Sequence, residues 1–315
     1  MASYGLGSLL SIDDLLWCAS NVSRDDSIWI PETWGMECFS VMSAIAHTSN
    51  CKRIGSSILN VYSRSPAVLA MGAVTMDVIS KGRFVLGLGV SSPKIVQGLH
   101  GQSYDTPLHR IRESIQIIRY ALDGKKINHT GSIYDTEGFS LLVYKYSKHI
   151  PLYLAAVNKK MINLAWEVAD GVLFYLRPLD ELHHTINTMQ QRRRIQTAYQ
   201  IITAVSDDAE AAYGRARQTL AFYISVGDVY REFLAQHGYR DITDRIYNEY
   251  RTSGLKRVAQ LVPDDMLHAL TACGTPRECK STIQSAQRAG LTEVIMQFNP
   301  VGDVRESFKL LATIQ

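Results

Sequence analysis

The sequence predicts an α/β protein of the (β/α)8 barrel class. Short apolar runs alternate with longer amphipathic stretches along most of the chain, which gives eight strand–helix units in 315 residues. Eight such units form either a barrel or a doubly wound sheet, and right-handed connections suit both. The number of units and the length of the chain favour the barrel. Because no linker rich in Pro, Gly or Ser interrupts the pattern, we expect a single domain over residues 1–315.

The composition is that of a globular protein. Hydrophobic residues make up 46%, charged residues 20%, and the net charge is +3, which argues against nucleic-acid binding. The basic run 192–194 is either a solvated helix face or a functional patch. The five cysteines include no Cys-x-x-Cys pair, so neither a disulfide framework nor a zinc site is indicated. With no signal peptide and no membrane-length apolar run, we expect a cytoplasmic protein without a membrane partner.

Apolar runs and helix-start signals define the first half of the chain. Strands are expected at residues 4–7, 27–31, 53–59 and 83–88. Ser11 caps the first helix, with Asp14 at the capping-box position. Ser65 and Pro66 open the helix after the third strand, and a further helix spans residues 108–122.

Two insertions are expected, after strands 4 and 7. Between residues 125 and 150 the pattern alternates around Glu137-Gly138, which predicts an antiparallel hairpin with Ile133-Tyr134 on one side and residues 139–144 on the other. Residues 209–272 show no convincing strand and are expected to be helical. Strands at 152–155, 171–175, 198–204 and 293–297 complete the set, followed by a closing helix at 303–313.

Functional residues of such a barrel lie at the C-terminal ends of its strands. This rule selects five segments, which are 32–35 after the second strand, 57–60 after the third, 87–92 after the fourth, 155–158 after the fifth and 175–177 after the sixth.

The segment after the fifth strand has the features of a phosphate site. Ala155 and Ala156 leave room for a ligand, and the helix that follows offers free N–H groups and the positive end of its dipole. The same small residues also suit tight strand–helix packing. Arg177 either completes the phosphate site or is a surface cation.

Two further features allow a functional and a structural interpretation. Gly87-x-Gly89 is either a backbone segment that passes close to a cofactor or a glycine turn, since the third glycine of a dinucleotide motif is missing. Glu32 is either a functional acid or hydrogen-bond acceptor, or a helix-capping partner. No histidine pair or carboxylate cluster has metal-ligand spacing. His183 and His184 are adjacent on a helix and point to different faces, which argues against a shared metal. No Gly-x-Ser-x-Gly elbow is present, which disfavours a serine hydrolase.

Several motifs follow one another along the chain. The most specific is Asn60-x-Tyr62-x-Arg64-Ser65-Pro66-Ala67, followed by Asp77 and by Gly82-Arg83-x4-Gly87-x-Gly89. Supporting motifs are Ala169-Asp170-Gly171, the region from Phe222 to His237-Gly238, Gly274-Thr275-Pro276 and Ala289-Gly290-Leu291-Thr292. In this order and spacing, the motifs resemble the luciferase-like superfamily, and within it the deazaflavin-dependent oxidoreductases related to methylenetetrahydromethanopterin reductase.

The resemblance implies coenzyme F420, a deazaflavin that carries hydride. It also implies a cis peptide between Ser57 and Ile58, in a bulge that backs the ring, and contact of Glu32 with the pyrimidine side of the ring. Residues 155–158 match the segment that binds the coenzyme phosphate. The complete expected cofactor site is Glu32, Ser57, Ile58, Asn60, Gly87, Gly89, Val90, Ser91, Ala155, Ala156, Val157, Asn158, Tyr175 and Arg177.

Two departures from the family concern catalysis. The catalytic glutamate that methylene-pterin reductases carry at the end of the first strand is matched here by Gly7. The Asp-His pair of several relatives after the second strand is Glu32-Thr33 here, so Glu32 and Thr33 are the candidate catalytic residues. The cofactor site is expected to be retained, with a different substrate.

Three hypotheses follow. The first is an F420-dependent oxidoreductase that moves hydride between the deazaflavin and an organic small molecule. The second is an FMN-dependent monooxygenase that activates oxygen. The third is a non-catalytic protein that retains F420. The resemblance also implies a homodimer or a higher homo-oligomer.

Overall fold

The computed structural model describes residues 1–7 and 9–314. The strands are β1 (Ser3–Gly5), β2 (Ser27–Ile30), β3 (Arg53–Ser56), β4 (Leu59–Asn60), β5 (Phe84–Gly89), β6 (Ile127–Thr130), β7 (Asp135–Phe139), β8 (Leu152–Ala155), β9 (Gly171–Tyr175), β10 (Gln196–Val205), β11 (Thr271–Gly274) and β12 (Glu293–Phe298). The helices are α1 (Ile12–Ser20), α2 (Cys38–Thr48), α3 (Pro66–Ile79), α4 (Pro93–Gly98), α5 (Pro107–Leu122), α6 (Lys159–Val168), α7 (Leu179–Gln190), α8 (Ala209–Val226), α9 (Asp228–Leu234), α10 (Arg240–Ala259), α11 (Asp264–Leu270), α12 (Pro276–Arg288) and α13 (Val304–Ala312), with a π-helical turn at Ala235–Tyr239.

The chain divides into two compact units. One comprises residues 19–173, and the other comprises residues 1–18 and 174–315. Among the described residues, none of the helices combines the length and the apolarity that crossing a bilayer requires. The organisation of residues 1–315 as a single domain stays a prediction.

The unit of residues 19–173 is built on parallel strands in the order β2, β3, β5, β8 and the start of β9. Buried apolar side chains fill both faces of these strands, as parallel sheets require. Trp29 of β2 packs against Tyr153 of β8 with ring centroids 5.7 Å apart. Gly55 of β3 leaves room for this indole, since a Cβ there would lie 2.4 Å from the Trp29 ring.

The other unit contains the parallel strands β11, β10, β12 and β1, in that order. Tyr4 of β1 packs on Phe308 of α13 with ring centroids 5.4 Å apart, and both side chains are fully buried. Ser11 accepts the backbone N–H of Asp14 at 3.1 Å, so the expected cap of the first helix is present. Because Tyr4 and Phe308 are in contact, helix α13 covers strand β1.

The second insertion is helical, as predicted, up to Leu270. The next four residues, 271–274, form β11, which the sequence analysis did not predict. Its strand character comes from pairing with β10, where Thr271 lies beside Ile202 and Gly274 beside Val205. Pairing of this kind depends on a distant partner, which local periodicity does not show.

The hairpin exists, but its strands and turn are not the predicted ones. It pairs β6 with β7 around a turn at residues 131–134, whereas Glu137 and Gly138 lie within β7. The cause is Glu113 of helix α5, whose carboxylate accepts the backbone N–H groups of Ser132, Ile133 and Tyr134 at 2.9–3.1 Å. This contact positions the turn, and residues 140–144 lie outside any strand.

Candidate functional site

The third strand is interrupted where the sequence analysis placed a functional bulge. Strand β3 ends at Ser56, the peptide between Ser57 and Ile58 is cis, and the chain resumes as β4. The cis peptide expected from the family resemblance is therefore confirmed. Leu59 then pairs with Leu88 and Asn60 with Gly89, so β4 continues alongside β5.

The side chain of Ser56 replaces backbone pairing at the bulge. Its hydroxyl donates to the carbonyl of Gly87 and accepts from the Gly87 N–H, both at 2.8 Å. A Cβ at position 87 would lie 1.8 Å from the carbonyl oxygen of Ser56. Glycine is thus required at position 87 by the neighbouring strand.

Gly89 is the point at which the bulge meets the end of β8. A Cβ at this position would lie 2.8 Å from the Ile58 side chain and 3.4 Å from the Cβ of Ala155. The structure therefore brings together Ile58, Gly89 and Ala155, three of the predicted site residues. The space beside both glycines is filled by protein, so packing alone explains the Gly-x-Gly pattern.

Two buried polar atoms at the bulge have no protein partner among the described residues. These are the Ser57 hydroxyl oxygen and the Asn60 side-chain nitrogen. The other amide atom of Asn60, Oδ1, accepts the N–H of Tyr62 at 2.9 Å, which orients the side chain. Buried polar groups without partners are rare in proteins. A ligand with hydrogen-bonding edges would satisfy both atoms.

Glu32 is held by an ion pair instead of standing free. Arg64 donates to Glu32 Oε1 at 2.6 Å and to Oε2 at 2.7 Å. The N–H of Cys38 donates to Oε2 at 3.1 Å. Both carboxylate oxygens are thus occupied, and the hydrogen bond to Glu32 raises the pKa of Arg64 above its usual value. Glu32 is also tied to the bulge, because its N–H donates to the carbonyl of Ile58 at 3.3 Å.

The same arginine links this carboxylate to helix α2. Arg64 also pairs with Glu37, which caps α2 by accepting the N–H groups of Phe39 and Ser40. Burial acts to raise the pKa of Glu37, but the hydrogen bonds from Ser40 and Phe39 and the charge of Arg64 outweigh it, so the pKa lies below its usual value. Sequence reasoning quoted Arg64 in a motif but did not assign it this role.

Tyr62, from the same motif, supports the loop after β5. Its ring stacks on Tyr104 with centroids 5.4 Å apart, and the Arg110 guanidinium lies 4.6 Å from its centroid. The Tyr104 hydroxyl donates to the carbonyl of Ser91 at 3.3 Å, where the backbone has a positive φ of 58°. Ser91 and the half-buried Val90 are thereby held directly after Gly89.

The N-terminus of helix α6 follows directly from Ala155 through Ala156 and Val157. Asn158 caps the helix, and its side chain accepts the N–H of Met161 at 3.0 Å. The first two helical residues are Lys159 and Lys160, both exposed. Cations are unfavourable near the positive end of a helix dipole, unless an anion binds there. The two lysines, which sequence reasoning missed, strengthen the predicted phosphate segment.

Tyr175 and Arg177 belong to the other unit. Tyr175 donates from its hydroxyl to Gln297 Oε1 at 2.7 Å and makes edge contacts with Tyr223 and Tyr230, at centroid distances of 5.0 and 5.4 Å. Burial, followed by the neighbouring tyrosines, raises the pKa of Tyr175 well above its usual value, so the phenol stays protonated. These groups stand at the C-terminal ends of β9 and β12.

Arg177 is buried and already paired. Its guanidinium donates to Glu181 at 2.5 and 2.6 Å and lies 4.4 Å from the ring centroid of Phe233. It is therefore not the surface cation that sequence reasoning considered. A phosphate at Arg177 would have to compete with the Glu181 carboxylate, and its role in phosphate binding stays a prediction.

The two positions that depart from the family carry no acid–base group. Thr33 is half-buried in the loop after β2, and Gly7 lies beyond β1 with its carbonyl accepting the N–H of Leu10 at 3.1 Å. Within residues 1–7 and 9–314, no three His, Cys, Asp or Glu side chains come together to hold a metal ion.

Comparison with known proteins identifies relatives along nearly the whole chain. Residues 26–293 match the model of the luciferase-like monooxygenase family. A protein named as a coenzyme F420-dependent oxidoreductase in Mycobacterium tuberculosis is 26% identical, over 89% of each chain. The 5,10-methylenetetrahydromethanopterin reductase of Archaeoglobus fulgidus is 27% identical, over 91% of this chain and 89% of its own.

The fold is also that of a solved structure. The coenzyme F420-dependent tetrahydromethanopterin reductase from Methanopyrus kandleri superimposes with a TM-score of 0.84 at 21% identity, covering 98% of this chain and 97% of its own. This likeness confirms the predicted (β/α)8 barrel.

Proposed function

The chain belongs to the luciferase-like monooxygenase family, and from this premise we propose that it is an F420-dependent oxidoreductase acting on an organic small molecule. The name of the Mycobacterium tuberculosis relative favours F420 over FMN. The finer assignment, a methylenetetrahydromethanopterin reductase-like reaction, is weakened by Gly7, which stands where those reductases carry a glutamate.

One observation carries this proposal. The bulge and the phosphate segment meet at Gly89, where a Cβ would lie 2.8 Å from the Ile58 side chain and 3.4 Å from the Cβ of Ala155. Beside them, Ser57 and Asn60 keep buried polar atoms without a protein partner. A flat ring with polar edges, joined to a phosphate, matches this pairing of an unsatisfied bulge with a helix N-terminus.

We assign the cofactor contacts accordingly. Ser57 and Asn60 would donate to the polar edge of the ring, and Ile58 would support its face. The N-terminus of α6, with Asn158 and the two lysines that follow, would hold the phosphate. The predicted contacts of Glu32, Val90, Ser91, Tyr175 and Arg177 are retained as part of the proposal, with Glu32 acting through its paired carboxylate.

F420, when bound, supplies the hydride chemistry; the protein binds, orients and shields it. Thr33 keeps a hydroxyl that can donate or accept a hydrogen bond, but it is a poor acid or base. The Tyr175 phenol stays protonated and donates its hydrogen bond to Gln297, so it is a hydrogen-bonding group and not a proton donor. The Tyr223 and Tyr230 rings beside it suit an apolar or conjugated substrate.

We further propose that the protein is a cytoplasmic homodimer. Helix α3 is apolar on both faces, and its only charged residue, Asp77, is fully buried. On its exposed side, Val68, Met71 and Val78 are 47%, 55% and 42% exposed. A helix that is hydrophobic all round is normally covered. A second copy of the same uncharged face would cover it without charge repulsion.

Turnover assays test the function directly. Reduced F420 should be oxidised anaerobically in the presence of a carbonyl, imine or activated-alkene acceptor from a substrate panel. The FMN monooxygenase alternative, which the family description favours, predicts instead oxygen uptake with reduced FMN. If F420 binds but no acceptor raises its oxidation above background, the non-catalytic hypothesis stands and the enzyme proposal is wrong.

A further inference from the structure

The last residue of the hairpin and the loop that follows it expose an unusual amount of apolar surface. Leu142 is 94% exposed, Tyr144 87%, Phe139 78%, Tyr146 65% and Val143 55%. We call residues 139–146 the apolar loop. Single exposed hydrophobic residues are ordinary, but five within eight positions are a concentration of exposed apolar surface of the kind that marks an interaction site.

The apolar loop lies at the N-terminal ends of the parallel strands of its unit. It leads into β8, and the Tyr146 ring would lie 3.2 Å from a Cβ on Gly82, just before β5. The N–H of Ser147 donates to the buried Asp77 carboxylate at 2.8 Å, which fixes the base of the loop. The candidate cofactor segments follow the C-terminal ends of these strands, at the opposite edge of the sheet.

Basic side chains lie at the same end of the strands as this patch. The loops that enter β2, β3, β5 and β8 carry Arg24, Lys52, Lys81, Lys145 and Lys148. In these four loops, which the structure describes throughout, Asp25 is the one exposed carboxylate, since Asp26 is buried. At the entry to β9, the partly exposed Asp170 is paired with Arg119 and His149. Arg83 points inward, where its guanidinium donates to the carbonyls of Ala46, Ser49, Cys51 and Ser80 at 2.7–3.0 Å. The hairpin itself is balanced, with Lys125 and Lys126 against Asp135 and Glu137.

We propose that this end of the unit docks peripherally on an anionic lipid surface. The aromatic and aliphatic side chains of the apolar loop would enter the headgroup layer, where tyrosine and leucine side chains are favoured. The lysines and Arg24 at this end of the strands would meet the negative surface potential of the membrane. Docking through the N-terminal ends of the strands leaves the opposite edge, with the candidate cofactor segments, facing away from the bilayer.

Charge complementarity favours a lipid surface over a second copy of the chain. A symmetric contact through this patch would bring two sets of cations together, and like charges across an interface oppose association. An anionic surface instead carries the opposite charge. The expectation of no membrane partner was based on missing membrane spans and does not address a peripheral contact of this kind.

Vesicle co-sedimentation tests the proposal. The wild-type chain is mixed at low salt with vesicles of phosphatidylcholine alone, or of phosphatidylcholine and phosphatidylglycerol in equal parts. We expect binding to the anionic vesicles only, weakened by added salt. The L142S/Y144S variant should bind about tenfold more weakly, and K145Q/K148Q should lose most of the salt-sensitive part. The matched controls L99S and K309Q, at exposed positions outside these loops, should bind like the wild type.

Three results would overturn it. The first is no sedimentation above background with anionic vesicles. The second is equal binding by the wild type and L142S/Y144S, with circular dichroism showing that the variant is folded. The third is a wild type that does not bind vesicles, together with an apparent mass on a sizing column that is lower for L142S/Y144S than for the wild type. This result would assign the patch to a second copy. None of these measurements depends on the proposed enzyme activity, so the docking proposal and the proposed function can fail separately.

Discussion

Glu32 and Arg64 form a two-pronged ion pair, with nitrogen–oxygen distances of 2.6 and 2.7 Å, that ties the loop after β2 to the segment after β4. Their side chains are only 11% and 16% exposed. Glu32 also reaches the bulge through its N–H. The ion pair therefore joins Glu32, which the sequence analysis selected as a candidate catalytic residue, to Arg64 of the motif that carries the family resemblance.

Replacing Arg64 should destabilise the protein. In R64M the Glu32 carboxylate stays largely buried without its partner, so the free energy of unfolding should fall by about 2 to 3 kcal/mol in urea denaturation. The exposed pair of Arg245 and Glu249 provides the control, because R245M should change this free energy by about 0.5 kcal/mol or less. Equal effects of the two variants would contradict a structural role for Arg64.

Gly87 should not tolerate even alanine. A Cβ there would lie 1.8 Å from the Ser56 carbonyl oxygen, which belongs to rigid backbone. We expect the G87A substitution to lower the free energy of unfolding by about 3 kcal/mol or to prevent folding. The control is G214A within helix α8, where a Cβ meets nothing within 4 Å. This substitution should raise the free energy of unfolding by about 0.5 to 1 kcal/mol. A folded G87A with wild-type stability would show that the bulge packs differently.

Glu113 should make stability depend on pH in the acid range. Burial acts to raise the pKa of Glu113, but hydrogen bonds from Ser132, Tyr134 and His129 outweigh it and lower the pKa from 4.5 to about 2. A carboxylate with a depressed pKa stabilises the fold above its unfolded value, and this stability is lost as the pH falls from about 4.5 through 2.

Denaturation of wild type and E113Q over this pH range measures the effect. The wild type should be more stable near neutral pH by about 1 to 3 kcal/mol, because the amide leaves some of the turn N–H groups without an acceptor. The difference should shrink as the pH approaches 2. A difference that is constant with pH would show that the carboxylate charge is not what holds the turn.

The lysines at the start of α6 should contribute to phosphate binding. K159Q/K160Q should weaken F420 binding about tenfold, because two charges near the helix N-terminus are removed. The unfolding free energy should stay the same or rise slightly, since the helix dipole disfavours cations there. K309Q is the control. If affinity is unchanged and only stability moves, the phosphate binds elsewhere.

The parts of the fold that local patterns encode could be predicted from the sequence. Buried strands such as β2 and β8 are short apolar runs, and Ser65 with Pro66 begins α3 as a helix-start signal. The bulge was placed between Ser57 and Ile58 only through the family resemblance, because periodicity there indicates one continuous strand.

What escaped prediction depends on contacts between distant residues. The hairpin turn is positioned by Glu113, which lies 19 to 21 residues before the N–H groups it binds. Arg64 pairs with a carboxylate 32 residues away. The lysines at α6 were visible in the sequence, and two cations in the first turn of a helix are an anion signal that could have been used.

In the proposed cofactor site, the bulge holds the deazaflavin ring of F420 and the start of α6 holds its phosphate. A fluorescence titration of the purified protein with F420, run beside one with FMN, tests it most directly. We expect saturable binding of one F420 per chain that is tighter than FMN binding and is weakened in K159Q/K160Q. Absence of F420 binding, or tighter binding of FMN, would contradict it.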